Sequence, residues 1–279
     1  MKTTKNFVLE RFGKKSILLD AFWEDNPKAT VIFCHGFKGF KDWGPWELVA
    51  EKFAQAGFFF VKFNFSHNGG SIENPIDFPD LQAFGENNFS KELDDLEEVL
   101  NWTEGREESG YRINGLIFLI GHSRGGGISL IKASEDKRVR AISTWASVAD
   151  FESRFPSGAD LEKWKKSGVL TIKNSRTKQE MPLFYQFFQD FQSNRERLNI
   201  SRAAGSLQIP LFVVHGDEDN TVGVEDAQML HEWVPMSRLK LISETNHTFG
   251  AIHPYRETIL PAALRETVEE TINFFSSIS

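Results

Sequence analysis

Leu116-Ile117-Phe118-Leu119-Ile120-Gly121-His122-Ser123-Arg124-Gly125-Gly126-Gly127 decides the reading of this chain. Five apolar residues run into G-x-S-x-G, and a helical pattern follows as far as Ser134, so the local order is strand, tight turn, helix. Such a turn holds its serine in a strained backbone conformation, with the hydroxyl clear of the chain at the start of the helix. Side chains two residues either side of the serine would collide, so positions 121 and 125 must be small. Gly126 and Gly127 let the helix lie close to neighbouring strands. The helix dipole at that point favours negative charge. The phosphate-cradling patterns G-x-G-x-x-G and G-x-x-x-x-G-K-[ST] are not matched. Ser123 is the candidate nucleophile.

Outward from this segment, apolar runs alternate with helical patterns, which predicts βαβ units and a mainly parallel central sheet with helices on both faces. On the N-terminal side, Phe7 to Phe12 and Ser16 to Trp23 read as an antiparallel edge hairpin. Ala29 to Cys34 reads as a buried parallel strand, Pro45 to Gly57 as a helix and Phe58 to Phe65 as a strand. A helix is expected from an N-cap at Ser90 to about Glu104, with Leu93, Leu96, Val99 and Leu100 on one face. On the C-terminal side, strands are expected at Val139 to Ala146, Leu211 to His215 and Leu239 to Ile242. Helices are expected at Glu225 to Trp233 and Thr258 to Ser277, the last broken or started near Pro261. Residues 150–208 break the rhythm. They contain no convincing buried strand and are too long for a loop, so they read as an inserted, mostly helical cap. The expected organisation is a core of residues 1–149 and 209–279 with the cap at 150–208.

A serine at its free pKa is a weak nucleophile; it needs a base, and the base needs an orienting carboxylate. The expected chain order is serine, acid, histidine. Of the seven histidines, His35, His67, His122 and His215 precede the expected acid. His231 lies inside a predicted helix. His247 follows the last strand directly, where a base must arrive to meet Ser123, and His253 is its rival. The acid is read from His215-Gly216-Asp217-Glu218-Asp219 at the end of a strand, where open α/β sheets gather their ligands. Asp219 is the choice, Asp217 reads as a brace of the turn, and Asp150 is the alternative.

Composition narrows the function classes. The 279-residue chain carries a net charge of −7, which disfavours nucleic acid as a partner. Its single cysteine, Cys34, excludes an internal disulfide and reads as a buried inert thiol. No H-E-x-x-H or clustered Cys/His/Asp spacing suggests a metal, and no cofactor is expected. The stretch Met1 to Ser16 lacks the apolar run of a secretory signal. No segment approaches the ~18 consecutive apolar residues of a membrane helix. The expected location is the cytoplasm, with no membrane partner.

With its three motifs in order, the chain resembles the α/β-hydrolase superfamily over essentially its whole length. Within it the chain looks like the bacterial esterase and serine-peptidase-like branch that includes feruloyl esterases. The residues that carry the resemblance are His35-Gly36-Phe37, Gly121-His122-Ser123-Arg124-Gly125-Gly126, His215-Gly216-Asp217-Glu218-Asp219 and Asn246-His247-Thr248-Phe249. The resemblance implies an α/β-hydrolase fold, with Asp219 as acid and an oxyanion hole made by the backbone N–H groups of Phe37 and Arg124. The chain departs from the family's frequent D-x-R-G-H-G-x-S segment at Asn64 to Ser71, where Ser66 and His67 stand in place of the arginine and the following glycine.

Phe184, Phe187, Phe188 and Phe191 recur at helical spacing inside the cap. They are expected to pack the cap on the core, and Phe184, Phe187 and Phe188 are candidates for an apolar wall over Ser123. Trp164 and Arg176 also fall in the cap, Arg176 reading as a solvated charge. Three functions follow from these readings. A carboxylic-ester hydrolase comes first, a peptidase or acyl-peptide hydrolase with the same triad second, and a hydrolase-like binding protein without turnover third. The substrate is expected to be a small-molecule ester or a peptide-like compound. Oligomeric state is not legible.

Overall fold

Strands covered by helices on both faces are nearly continuous apolar runs, with no alternation. Ala29–Cys34, Ile117–His122 and Leu211–Gly216 obey this rule, and each is buried along its whole length. The computed structural model describes residues 1–104 and 115–279. In chain order its elements are β1 (Lys2–Arg11), β2 (Lys14–Trp23), β3 (Ala29–Cys34), α1 (Trp46–Gln55), β4 (Phe58–Asn64), α2 (Leu81–Glu86), α3 (Phe89–Glu104), β5 (Ile117–His122), α4 (Arg124–Glu135) and β6 (Val139–Trp145). Then come α5 (Gly158–Ser167), β7 (Val169–Lys173), β8 (Glu180–Phe184), α6 (Gln186–Ser193), α7 (Ile200–Ser206), β9 (Leu211–Gly216), α8 (Val224–Trp233), β10 (Arg238–Ile242) and α9 (Ala262–Ser276).

Eight strands form one sheet in the order β1-β2-β4-β3-β5-β6-β9-β10. β2 runs antiparallel to β1 and β4, and from β4 to β10 every pairing is parallel. Alternate side chains of each strand enter opposite layers. Val31 and Phe33 join Trp46, Phe53 and Phe275 beneath α1 and α9. Ile32 and Cys34 join Leu93, Leu96, Ile128 and Ile131 beneath α3 and α4. Cys34 is free and buried, and burial pushes its thiol up to about 12.

Local chemistry shifts two predicted boundaries. The α3 helix starts one residue before Ser90. Asn88 caps it, accepting from the Lys91 N–H at 2.9 Å, while the Ser90 N–H turns to Asp190. The last helix begins only after Pro261, whose missing N–H costs nothing there.

Residues 150–208 connect β6 to β9, which are neighbours in the sheet. The insertion is mostly helical, as expected, and carries one element the sequence did not announce. Alongside α5, α6 and α7 it contains an antiparallel hairpin, β7–β8, with Thr171 opposite Pro182. These strands are half-exposed and five residues long, so no buried apolar run marks them. A two-stranded ribbon consists only of edges and therefore tolerates Pro182. The insertion has no separate core, for Phe151, Trp164, Phe187 and Phe191 belong to the same apolar cluster as α3 and α4.

Candidate active site

The strand-to-helix turn at Ser123 is tight because its flanks are glycines. A Cβ on Gly121 would lie 2.4 Å from the Gly125 carbonyl oxygen, and one on Gly125 would lie 2.3 Å from the Cys34 carbonyl oxygen. Both obstacles are backbone and cannot rotate away. Ser123 itself has φ 56° and ψ −122°, a region that costs a non-glycine residue about 1–3 kcal/mol. Its own N–H donates to Trp145 O at 2.9 Å, locking the turn to β6.

Three strand ends bring their side chains together here. His247, in the loop after β10, places Nε2 2.9 Å from Ser123 Oγ. Its Nδ1 lies 2.7 Å from Asp219 Oδ2, which fixes the tautomer with the proton on Nδ1 and leaves Nε2 to accept from the hydroxyl. The other oxygen of Asp219 accepts the Thr221 and Val222 N–H groups at 2.8 and 2.9 Å. Burial works against the Asp219 charge. Hydrogen bonds from His215 and His247, the nearby His247 ring and the Val222 N–H outweigh it, and the carboxyl stays well below the usual carboxylate range.

Two further histidines brace this arrangement. His122 is buried and its ring centroid lies 4.9 Å from that of His247. Its Nε2–H donates to the His247 carbonyl oxygen at 2.9 Å. Burial, reinforced by repulsion from the His247 ring, pushes its pKa down to about 3, so it stays a neutral donor. His35 is also buried, and burial pushes it down to about 4. Its Nδ1–H donates to Gly36 O at 2.9 Å, while its Nε2 accepts the Phe65 N–H at 3.3 Å. That bond ties the Gly36-Phe37 loop to the end of β4.

Above Ser123 lies a cavity of about 660 Å³, within the size range of small-molecule sites. The strand-end loops form its floor, with Gly36, Phe37, Ser123, Arg124, Val222 and His247. Residues of the insertion roof it, among them Phe151, Phe155, Trp164, Leu183 and Phe187.

The sequence model of the α/β hydrolase fold matches residues 29–171, just over half of the chain. The chain belongs to the α/β-hydrolase fold family. No curated protein matches its sequence. Solved α/β hydrolases do resemble it in shape. Est1E from Butyrivibrio proteoclasticus with bound ferulic acid is 17% identical, with 97% of this chain and 98% of that one aligned and a TM-score of 0.68. The monoacylglycerol lipase of Paleococcus ferrophilus is 16% identical over 94% and 99% of the two chains, TM-score 0.67. The α/β hydrolase domain-containing protein 10 from mouse is 17% identical over 98% and 99%, TM-score 0.67.

Within this α/β-hydrolase frame, Ser123, His247 and Asp219 converge, and their sequence rivals lie elsewhere. The Asp150 carboxylate accepts the Glu152 and Ser153 N–H groups at 3.1 and 2.6 Å. His253 accepts the Gly44 N–H at 2.8 Å and packs edge-on against Phe40. Of the three phenylalanines read as a wall, Phe187 lines the cavity while Phe184 and Phe188 do not. Phe184 ends β8, so the helical spacing breaks there and its ring packs on Gly85. Phe188 faces Phe155, Trp164 and Tyr185 inside the insertion. Arg176, read as a solvated charge, pairs with Asp77 at the cavity rim. Sequence reading passed over His122 as a participant, although its place inside G-x-S-x-G was a usable signal.

Proposed function

We propose that the protein is a serine hydrolase that cleaves a small carboxylic ester through an acyl-enzyme. The observation that carries this reading is the unbroken chain from Ser123 Oγ to His247 and on to Asp219, at 2.9 and 2.7 Å, beneath an aromatic cavity. In the proposed cycle His247 Nε2 takes the Ser123 proton as the oxygen attacks the ester carbonyl. The tetrahedral oxyanion is held by the N–H groups of Phe37 and Arg124; among the described residues, neither donates to a protein acceptor. Each such donor contributes about 10²–10³ in kcat. The alcohol leaves with the proton from His247. Water then attacks the acyl carbonyl, His247 removes its proton, and Ser123 departs as leaving group. Asp219 holds the ring in register and balances its charge. No step calls for a cofactor.

The insertion, residues 150–208, serves in this reading as the cap on the core of residues 1–149 and 209–279, and Phe187 supplies apolar wall. An aminopeptidase with the same triad would need a counter-charge for a free α-ammonium group. Among the described residues the cavity lining contains no aspartate or glutamate, so the ester reading is preferred to that one. The resemblance to the esterase branch agrees with it. Among the described residues no helix is long and apolar enough to cross a membrane, and a small soluble ester fits a cavity of this size.

Intact mass after exposure to a fluorophosphonate, with 4-nitrophenyl butyrate turnover in parallel, tests the reading. One adduct on the wild type, absent from Ser123→Ala, is the expected result. Folded wild-type protein with neither adduct nor turnover overturns it in favour of a binding protein.

A further inference from the structure

The cavity over Ser123 is unbalanced in charge. Lys38, Arg124, Arg154 and Arg176 line it, and among the described residues no carboxylate does. Two of these cations are committed elsewhere. Arg154 pairs with Asp226 at 3.0 Å and donates to Thr221 O at 3.1 Å, and Arg176 pairs with Asp77.

Lys38 is not, and Arg124 is committed only in part. Lys38 follows Phe37 directly, is half-buried, and has neither an ion pair nor a hydrogen bond among the described residues. Burial lowers its pKa with nothing to offset it. The Arg124 side chain is largely buried, and among the described residues its guanidinium makes one hydrogen bond, a long one of 3.4 Å to Glu92 Oε1. Asn87 already holds that oxygen at 2.7 Å. A guanidinium carries five N–H donors, so most of this one is unspent. Its flat face is fixed by aromatic rings: Cζ lies 4.0 Å from the Phe37 centroid, 5.1 Å from Phe187 and 5.3 Å from Phe89. Lys38 Nζ lies 5.8 Å from the same Phe37 ring.

Two cations thus flank the residue whose N–H is assigned to the oxyanion hole. Withdrawing charge from water without a partner is costly, and an occupant that brings an anion removes that cost. Glu92 pairs with Arg124 at 3.4 Å, so the excess amounts to the single charge of Lys38. That matches a carboxylate better than a dianionic phosphate. The planar Arg124 fork matches a carboxylate in shape as well.

We propose that this cavity selects esters bearing a carboxylate on an apolar or aromatic body, with Arg124 gripping the carboxylate and Lys38 supplying the second charge. The proposal rests on the serine-hydrolase reading above and gives it a substrate class.

Matched esters test it in the full-length protein. One pair places the carboxylate on the acyl side, 4-nitrophenyl hydrogen suberate against its methyl ester. The other places it on the alcohol side, 4-butyryloxybenzoate against its methyl ester. The readout is the ratio of kcat/KM, charged over neutral. Wild type should favour the charged member of at least one pair by about tenfold or more, the value of one charge-assisted hydrogen bond. Lys38→Met should bring that ratio down several-fold, and 0.5 M salt should lower it too. Arg124→Lys, which keeps charge but loses the fork, should lower it even where a shorter side chain would disturb the neighbouring rings. Ratios near or below one in both pairs, with the neutral esters turned over, overturn the carboxylate subsite alone. A preference that Lys38→Met and Arg124→Lys both leave intact overturns it as well. Absence of turnover of every ester together with absence of the fluorophosphonate adduct removes the hydrolase reading beneath it.

Discussion

The floor and the roof of the cavity are built by different means. On the floor, backbone meets backbone: glycine Cα groups sit where any Cβ would strike a carbonyl, and a left-handed serine is locked between β5, β6 and α4. On the roof, side chain meets side chain: Phe155 touches Trp164, Phe187, Phe188 and Phe191 at centroid distances of 5.1 to 6.1 Å. A backbone contact admits one solution. An aromatic cluster admits many, because volume can be redistributed among neighbours. The floor is therefore suited to fixed chemistry and the roof to adjustable selectivity.

Changes on the floor should be severe. Ser123→Ala or His247→Ala should lower kcat by about 10⁴–10⁶, since triad members act as a unit, and Asp219→Asn should cost less than either. Stopped ester hydrolysis on folded protein measures this. If Asp219→Asn were silent, the floor would hold its base by the His122 contact instead. Gly121→Ala should destabilise by about 3 kcal/mol or more, because the obstructing atoms are main chain. A urea midpoint unchanged by that substitution would show that the turn can relax.

The floor also has a pH signature. His35 and His122 titrate near 6.5 when unfolded and at about 4 and about 3 when folded. The unfolded chain thus binds more protons between those values, and stability is lost as pH falls from about 6.5 towards 4. Each ring contributes up to about 1.4 kcal/mol per pH unit in that window. Asp219, held low in the fold, adds a loss in the same direction below its unfolded value of 3.8. Chemical denaturation at pH 7.0 and 5.0 should show the slope, and His122→Asn should make it shallower. Changes on the roof should be mild. Phe187→Leu should cost about 1 kcal/mol and alter relative rates across ester chain lengths by several-fold. A loss of all activity from that substitution would erase the distinction between floor and roof.

The same contrast explains what could be read in advance. Gly121, Ser123 and Gly125 are demanded by local sterics, so the elbow was visible in twelve residues. The buried strands announced themselves as unbroken apolar runs. The convergence of His247 and Asp219 on Ser123 could be expected from their places just after strands, whereas nothing in the sequence told that Asp150 and His253 bond to backbone elsewhere. The roof resisted because its spacing misleads. Phe184, Phe187, Phe188 and Phe191 look like one helical face, yet the chain is extended at Phe184 and turns helical only at Gln186. The hairpin β7–β8 carries Pro182 and half-exposed faces, and sends no strong periodic signal. Lys38 and the Arg124 side chain were equally hidden, because an unspent donor or charge is defined by what fails to surround it.

Cys34 gives this molecule a built-in stopwatch. It is the chain's only thiol, and it lies fully buried in β3 at the centre of the sheet. Alkylation must wait for the sheet to open, so the rate at which iodoacetamide adds to the chain reports how often the centre is exposed. Any compound that settles in the cavity and binds the closed form alone will slow that rate by the factor 1 + [L]/Kd. Candidate esters, or inert acids shaped like their products, could thus be ranked by mass spectrometry with no chromophore, no label and no turnover.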